Sequence, residues 1–149
     1  MEADFASVWS RVTGAAPGQN EQTSLKRWIR SEEEAGALCL GLSGCRASSP
    51  LREAFQSFGR DARRHLRALR AMYYLRTGER CPAAVKPPTA GQPSLRDLRA
   101  YYLSALERAQ DYRRSAETAQ ADLAALCRRL AKEEETHAET ARLLAERLL

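Results

Sequence analysis

Apolar and polar positions along the chain describe four long helices. The first opens near Thr23 or Ser24, both good N-caps, and carries Leu25, Trp28, Ile29, Leu38 and Leu42 before a stop signal at Ser43-Gly44. The second follows Ser48-Ser49-Pro50, with the proline placed for a first helical turn. Its apolar set is Leu51, Phe55, Phe58, Leu66, Leu69, Met72, Tyr73 and Leu75, and Gly78 ends it. Ser94-Leu95-Arg96-Asp97 is a capping box that opens the third helix, followed by Leu98, Tyr101, Tyr102, Ala105, Ala109 and Tyr112. The pattern loosens between Glu117 and Asp122. A fourth helix then runs through Leu123, Leu126, Leu130, His137, Leu144 and Leu148.

No segment alternates with the two-residue period of a strand. The stretch from Glu79 to Pro93, with Pro82, Pro87, Pro88 and Pro93, is too long for a tight turn between neighbouring helices. Two short links and one long middle link predict an all-α four-helix bundle with one crossover between the second and third helices. Residues 23–149 form that bundle, and residues 1–22 form a leading segment with a short amphipathic helix from Phe5 to Val12. A weak internal repeat agrees. The fourth helix aligns on the second at an offset of about 72, placing His137 on His65 and Glu134 on Ala62. The third aligns on the first at an offset of about 73, placing Tyr112 on Cys39 and Ala105 on Glu32.

The chain has 149 residues, 44% of them hydrophobic and 29% charged, which suits one domain with a real core. Its formal charge of +5 comes mostly from arginines scattered among acids along every helix. A nucleic-acid binder gathers such charge on one stripe or tail, so that class is not expected. No apolar run approaches the ~20 residues that span a bilayer. The start, Met1-Glu2-Ala3-Asp4-Phe5, is acidic and unlike a signal peptide, so a cytoplasmic location is expected. None of Cys39, Cys45, Cys81 and Cys127 forms Cys-x-x-Cys. Cys39 and Cys127 read as small buried apolar residues, whereas Cys45 and Cys81 lie near helix ends and could meet.

Candidate chemistry centres on Glu134 and His137, a Glu-x-x-His pair. At that spacing a carboxylate and an imidazole lie about 60° apart around the helix and can reach one ion. The only other histidine, His65, sits in a matching frame in which Ala62 takes the acid position. Glu32, Glu33 and Glu34 on the first helix, Asp61 on the second and Glu107 on the third complete the acids that could point inward. Carboxylates with imidazoles suit iron, manganese or zinc.

These residues carry a resemblance. The strings Trp28-Ile29-Arg30-Ser31-Glu32-Glu33-Glu34, Gly59-Arg60-Asp61-Ala62-Arg63-Arg64-His65, Met72 to Arg80, Ala105 to Tyr112 and Ala131 to His137 make the chain resemble the ferritin-like superfamily, in particular rubrerythrin-type proteins. The likeness covers about residues 23–149. It implies a pair of irons held by one Glu from each of the first and third helices and a Glu-x-x-His from each of the others. It further implies peroxide or oxygen handling and a homodimer. With no Cys-x-x-Cys in the chain, an external electron donor is also expected. Carried over by position, Glu32, His65, Glu134 and His137 match the ligands. Ala62 and Ala105 stand where two others belong, and Glu107 lies about 200° from the expected direction.

With two bridging carboxylates gone, a stable di-iron centre is not expected, because two dications ~3.5–4 Å apart need anionic bridges. One iron or other divalent transition ion held by Glu32, Glu134 and one or both histidines fits better. The bland alternative treats Glu133, Glu134, Glu135 and Glu139 as a solvated acidic face and Arg63, Arg64, Arg67 and Arg70 as surface charge. On that reading the protein is a metal-free pseudo-enzyme serving dimerisation or partner binding. A basic surface for acidic partners is the third reading.

Overall fold

A computed structural model of the protein describes residues 19–44, 49–83 and 91–149. Among these residues are four helices and no strand: α1 (Gln19–Ser43), α2 (Pro50–Thr77), α3 (Leu95–Thr118) and α4 (Ala121–Leu148). The all-α bundle is therefore as the periodicity indicates. None of the described helices is long and apolar enough to cross a membrane.

The caps are largely those of the sequence. Ser49 accepts a hydrogen bond from the Arg52 amide, with Pro50 in the first turn of α2. Ser94 and Asp97 form a reciprocal capping box at α3. Gly78 ends α2 at φ 74°, a left-handed conformation that a side chain would strain. The start of α1 differs. It reaches back to Gln19, so Thr23 and Ser24 lie inside the helix and the bundle begins before residue 23. A tertiary contact outweighs the local signal. Glu21, in the first turn, pairs with the buried Arg76 of α2 and accepts a hydrogen bond from the Gln120 amide at the start of α4. The predicted helix from Phe5 to Val12 and the approach of Cys45 to Cys81 involve residues outside the described ones.

α1 packs along α2 and α3 along α4, with smaller contacts between α2 and α4 and between α1 and α3. Pairing α1 with α3 and α2 with α4 is what demands a crossover. Arg76 of α2 meets Asp122 at one end, and Asp61 meets His137 further along, so α2 and α4 are antiparallel. Trp28 meets Asp111 on the α1/α3 side, while Cys39 and Leu42 cluster with Leu98 and Tyr101, so that pair is antiparallel too. The third helix must then start at the end of the bundle opposite to where the second stops. The Gly91 amide bonds to the Gly41 carbonyl at 3.2 Å, at the far end of α1. A link of roughly 17 residues at ~3.3–3.6 Å each covers the ~36 Å of a 24-residue helix with slack.

The core is divided. One apolar cluster gathers Leu25, Trp28, Ile29, Leu69, Tyr73, Tyr112, Leu123 and Leu130. The other gathers Cys39, Leu42, Phe55, Phe58, Leu98, Tyr101, Ala105 and Leu144. Leu38 and Leu75, assigned to the core from sequence, point outward at 40% and 59% exposure. Leu38 falls about 220° around the helix from Leu25, which places it on the opposite face.

Candidate metal centre

Between the two apolar clusters lies a layer of ionisable side chains: Glu32, His65, Arg108, Glu134 and His137, exposed by no more than 7% each. Each occupies an inward seam position on its own helix. Small residues bring the helices close at this level. A Cβ on Gly59 would stand 3.2 Å from Cys39 Cβ, so α1 and α2 touch there almost backbone to backbone. Ala62 packs against Gly36, which would receive a Cβ 3.5 Å away. Position 62, where the resemblance implies a carboxylate, instead makes a close helix contact.

Three side chains converge. Glu32 of α1, His65 of α2 and Glu134 of α4 offer donor atoms that all lie within 4.8 Å of one another, and all three residues are buried. His65 Nδ1 is 3.1 Å from Glu32 Oε1 and 3.4 Å from Glu134 Oε1. Tyr112 donates its hydroxyl to the same Glu32 oxygen at 2.9 Å. Glu32 Oε2 is buried with no hydrogen-bond partner among the described residues. A buried carboxylate oxygen left without a partner costs about 1–3 kcal/mol unless a cation, proton or water answers it.

His137 stands to one side of that trio. Its Nε2 bonds to Asp61 at 2.8 Å, and its Nδ1 faces the Tyr101 hydroxyl at 3.3 Å and Glu134 Oε2 at 3.6 Å. The His65 and His137 rings are stacked with centroids 6.0 Å apart. The four residues singled out from sequence therefore share one layer. Glu32, His65 and Glu134 form a compact donor set, and His137 reaches it through Glu134.

The charges interlock. Both nitrogens of His65 face carboxylates, with Nε2 2.6 Å from Glu133 Oε2. Burial disfavours its charged form, but the hydrogen bonds to Glu134 and Glu32 outweigh burial and raise its pKa to about 10. His137 is raised by Glu134 and Asp61, again against burial. Burial raises Glu32, and the nearby Glu134 charge adds to that, more than the His65 hydrogen bond lowers it. For Glu134 burial pushes upward too, but His137, His65 and the Arg108 charge hold it well below the usual carboxylate range. Burial also pushes the neighbouring Cys39 thiol up to about 12, so it stays protonated at neutral pH.

Several expectations need correction. Glu133 is not a solvated acid: it bridges His65 and Arg64 across the α2/α4 contact. Arg70 is not free surface charge, since it pairs with the buried Glu33 of α1. That pairing also removes Glu33 as a substitute ligand. Glu34 is exposed and pairs with Arg30 one turn away. Glu107 is exposed on α3, as its angular offset implies.

The residue that sequence reading missed is Arg108. Its guanidinium lies inside the layer, donating to Glu134 Oε2 at 3.0 Å and to Ser104 Oγ at 3.1 Å. Leu98, Tyr101, Ala105, Arg108 and Tyr112 are spaced three, four, three and four apart, so the heptad rule alone placed Arg108 on the inner seam. Taking the apolar Ala109 for that position hid it. No protein-family model matches the chain, and neither does any curated protein or solved structure.

Proposed function

We propose that this chain is a rubrerythrin-like, ferritin-like metal-binding protein whose site takes one divalent transition ion, iron or a close relative, at Glu32, His65 and Glu134. The observation that carries this reading is the convergence of the three donors from three helices within 4.8 Å. The unpartnered Glu32 Oε2 supports it, because a cation is one of the partners that would satisfy such a buried oxygen. Two carboxylates and an imidazole fit iron, manganese or zinc.

A redox-active ion there would supply one-electron chemistry toward peroxide or oxygen. The chain's own residues orient the donors. Tyr112 fixes Glu32. Glu133 sits at His65 Nε2 and so aims Nδ1 into the layer. Electrons would come from a separate donor protein, and a homodimer fits the reading by resemblance.

A second reading has its own support. Arg108 and two imidazoles already stand against the buried acids, so the layer can balance its charge without a metal, as a pseudo-enzyme bundle serving dimerisation or partner binding. Elemental analysis after mild purification and titration with Mn(II) or Fe(II) separate the two. The metal reading expects one equivalent in the wild type, none in Glu32→Gln or His65→Ala, and one in His137→Ala. A wild type that takes up no ion leaves the metal-free reading standing.

A further inference from the structure

We infer that Arg108 is the second cation of this centre: a guanidinium built into the position that would otherwise receive a second metal ion, limiting the site to one. The inference rests on the mononuclear reading above and adds to it the residue that sets nuclearity. Its basis is the split use of Glu134. Oε1 faces His65 Nδ1 at 3.4 Å, on the side of the Glu32–His65–Glu134 trio. Oε2 faces the opposite way, accepting from Arg108 Nη2 at 3.0 Å with His137 Nδ1 3.6 Å distant. A carboxylate with one oxygen toward a metal-binding trio and the other toward a fixed cation is arranged as a bridge. On the Arg108 side, His137 Nδ1 lies near both Glu134 Oε2 and the Tyr101 hydroxyl, and the arginine takes the Glu134 oxygen of that group.

Three features hold the guanidinium there. Ser104, one turn earlier on α3, accepts from Nη1 at 3.1 Å. The guanidinium carbon lies 5.6 Å from the centre of the Tyr101 ring, within cation–π range. Ala105 is fully buried one turn before Arg108, and its single methyl leaves the arginine room to turn inward. An alanine at position 105 thus puts no carboxylate on this face of α3 and leaves the inner position to the arginine. A guanidinium stays charged at any relevant pH, so this second cation cannot dissociate as a metal can. The side chain also lines a cleft of about 460 Å³ between α1 and α3, with Trp28, Ser104 and Asp111, so the α3 side of the layer is closed by Arg108 itself.

The experiment is metal stoichiometry with Mn(II) on the full chain, for wild type, Arg108→Gln and the double variant Ala105→Glu/Arg108→Ala. The double variant exchanges arginine volume for carboxylate volume on the same helix face. We expect one equivalent in the wild type and two in the double variant. Arg108→Gln should show a second, weaker equivalent, and Arg108→Lys should stay at one. Variants that retain the wild-type helical circular dichroism but still bind a single ion overturn the inference. A wild type that binds two ions overturns it as well, while leaving metal binding at the trio, though not its limit of one ion, intact. A wild type that binds none while Arg108→Gln binds one refutes the metal reading and overturns the inference with it, because the arginine would then exclude the first ion rather than a second. No binding in any protein sinks both. Should the variants fail to fold, Mn(II) electron paramagnetic resonance of the wild type decides. After unbound Mn(II) is removed by desalting, a retained uncoupled six-line signal is expected, and a spin-coupled pair overturns the inference.

Discussion

Titrating His65 in chelator-treated protein gives the sharpest test of the buried layer. His65 has its pKa raised from 6.5 to about 10 by the carboxylates around it. Below pH 6.5 the imidazole is protonated in both folded and unfolded chains, and its full contribution to stability is present. As the pH rises above 6.5 the unfolded chain releases that proton while the folded chain keeps it. Each further unit therefore lowers stability by about 1.4 kcal/mol until the pH passes the folded value. Between pH 6.5 and 8.5 the loss attributable to His65 is about 2 kcal/mol, because the unfolded imidazole is already half deprotonated at the start of that range. At a urea slope of ~2 kcal/mol per molar, the unfolding midpoint should fall by roughly 1 M across that range.

The assay is urea unfolding of chelator-treated protein at half-unit pH steps, wild type beside His65→Gln. His137 shifts in the same direction, but it is present in both proteins and drops out of the difference. The upper limit of pH 8.5 avoids the thiols of Cys39 and Cys127. Burial pushes both up to about 12, so they add a loss of the same sign once the unfolded thiols ionise. The wild type should lose stability steadily while His65→Gln stays flatter. If the two midpoints run parallel from pH 6.5 to 8.5, His65 is not the protonated bridge between Glu32, Glu133 and Glu134 that the geometry requires.

Metal uptake should release close to one proton from His65, so Mn(II) affinity is expected to rise up to about tenfold per pH unit between 6.5 and 8.5. Calorimetry in buffers of different ionisation enthalpy counts that proton, and a count of zero would take His65 out of the donor set. Arg76, whose side chain is fully buried, ties Glu21 of α1 and Asp122 of α4 to the end of α2. Arg76→Ala should cost about 3 kcal/mol in chemical denaturation, and a loss below ~1 kcal/mol would mean these ion pairs do not hold that end together. Leu130, with 0% exposure in the apolar cluster beside the ionisable layer, should cost about 2–5 kcal/mol as Leu130→Ala. Ser94→Ala removes one arm of the α3 capping box and is expected to lower stability by about 1 kcal/mol. An unchanged thermal midpoint would show that Asp97 alone caps the helix.

Local signals were legible where one helix decides the outcome by itself. The caps at Ser49 and Ser94, the glycine stop at Gly78 and the break between Glu117 and Asp122 depend on a few adjacent residues, and each appears in the structure. The crossover was legible too, because a proline-rich link is too long for a turn whatever its path. The start of α1 was not, since Glu21 extends the helix through a partner 55 residues away, Arg76. Glu133 and Arg70 misled for the same reason. On their own helices they look like surface charge, and only the facing helices supply His65 and Glu33.

What the chain alone determined is therefore the set of helices, their inward faces and the presence of acids and imidazoles on those faces, because a 3.6-residue period is a property of consecutive residues. What only the tertiary structure decided is which of those groups meet. Glu32, His65 and Glu134 come from three helices and converge, His137 is held off by Asp61, and Arg108 turns in against Glu134. Which donors face one another is fixed by how the helices pack. Angular position on a single helix fixes a direction, but charge balance in a buried layer belongs to all four at once.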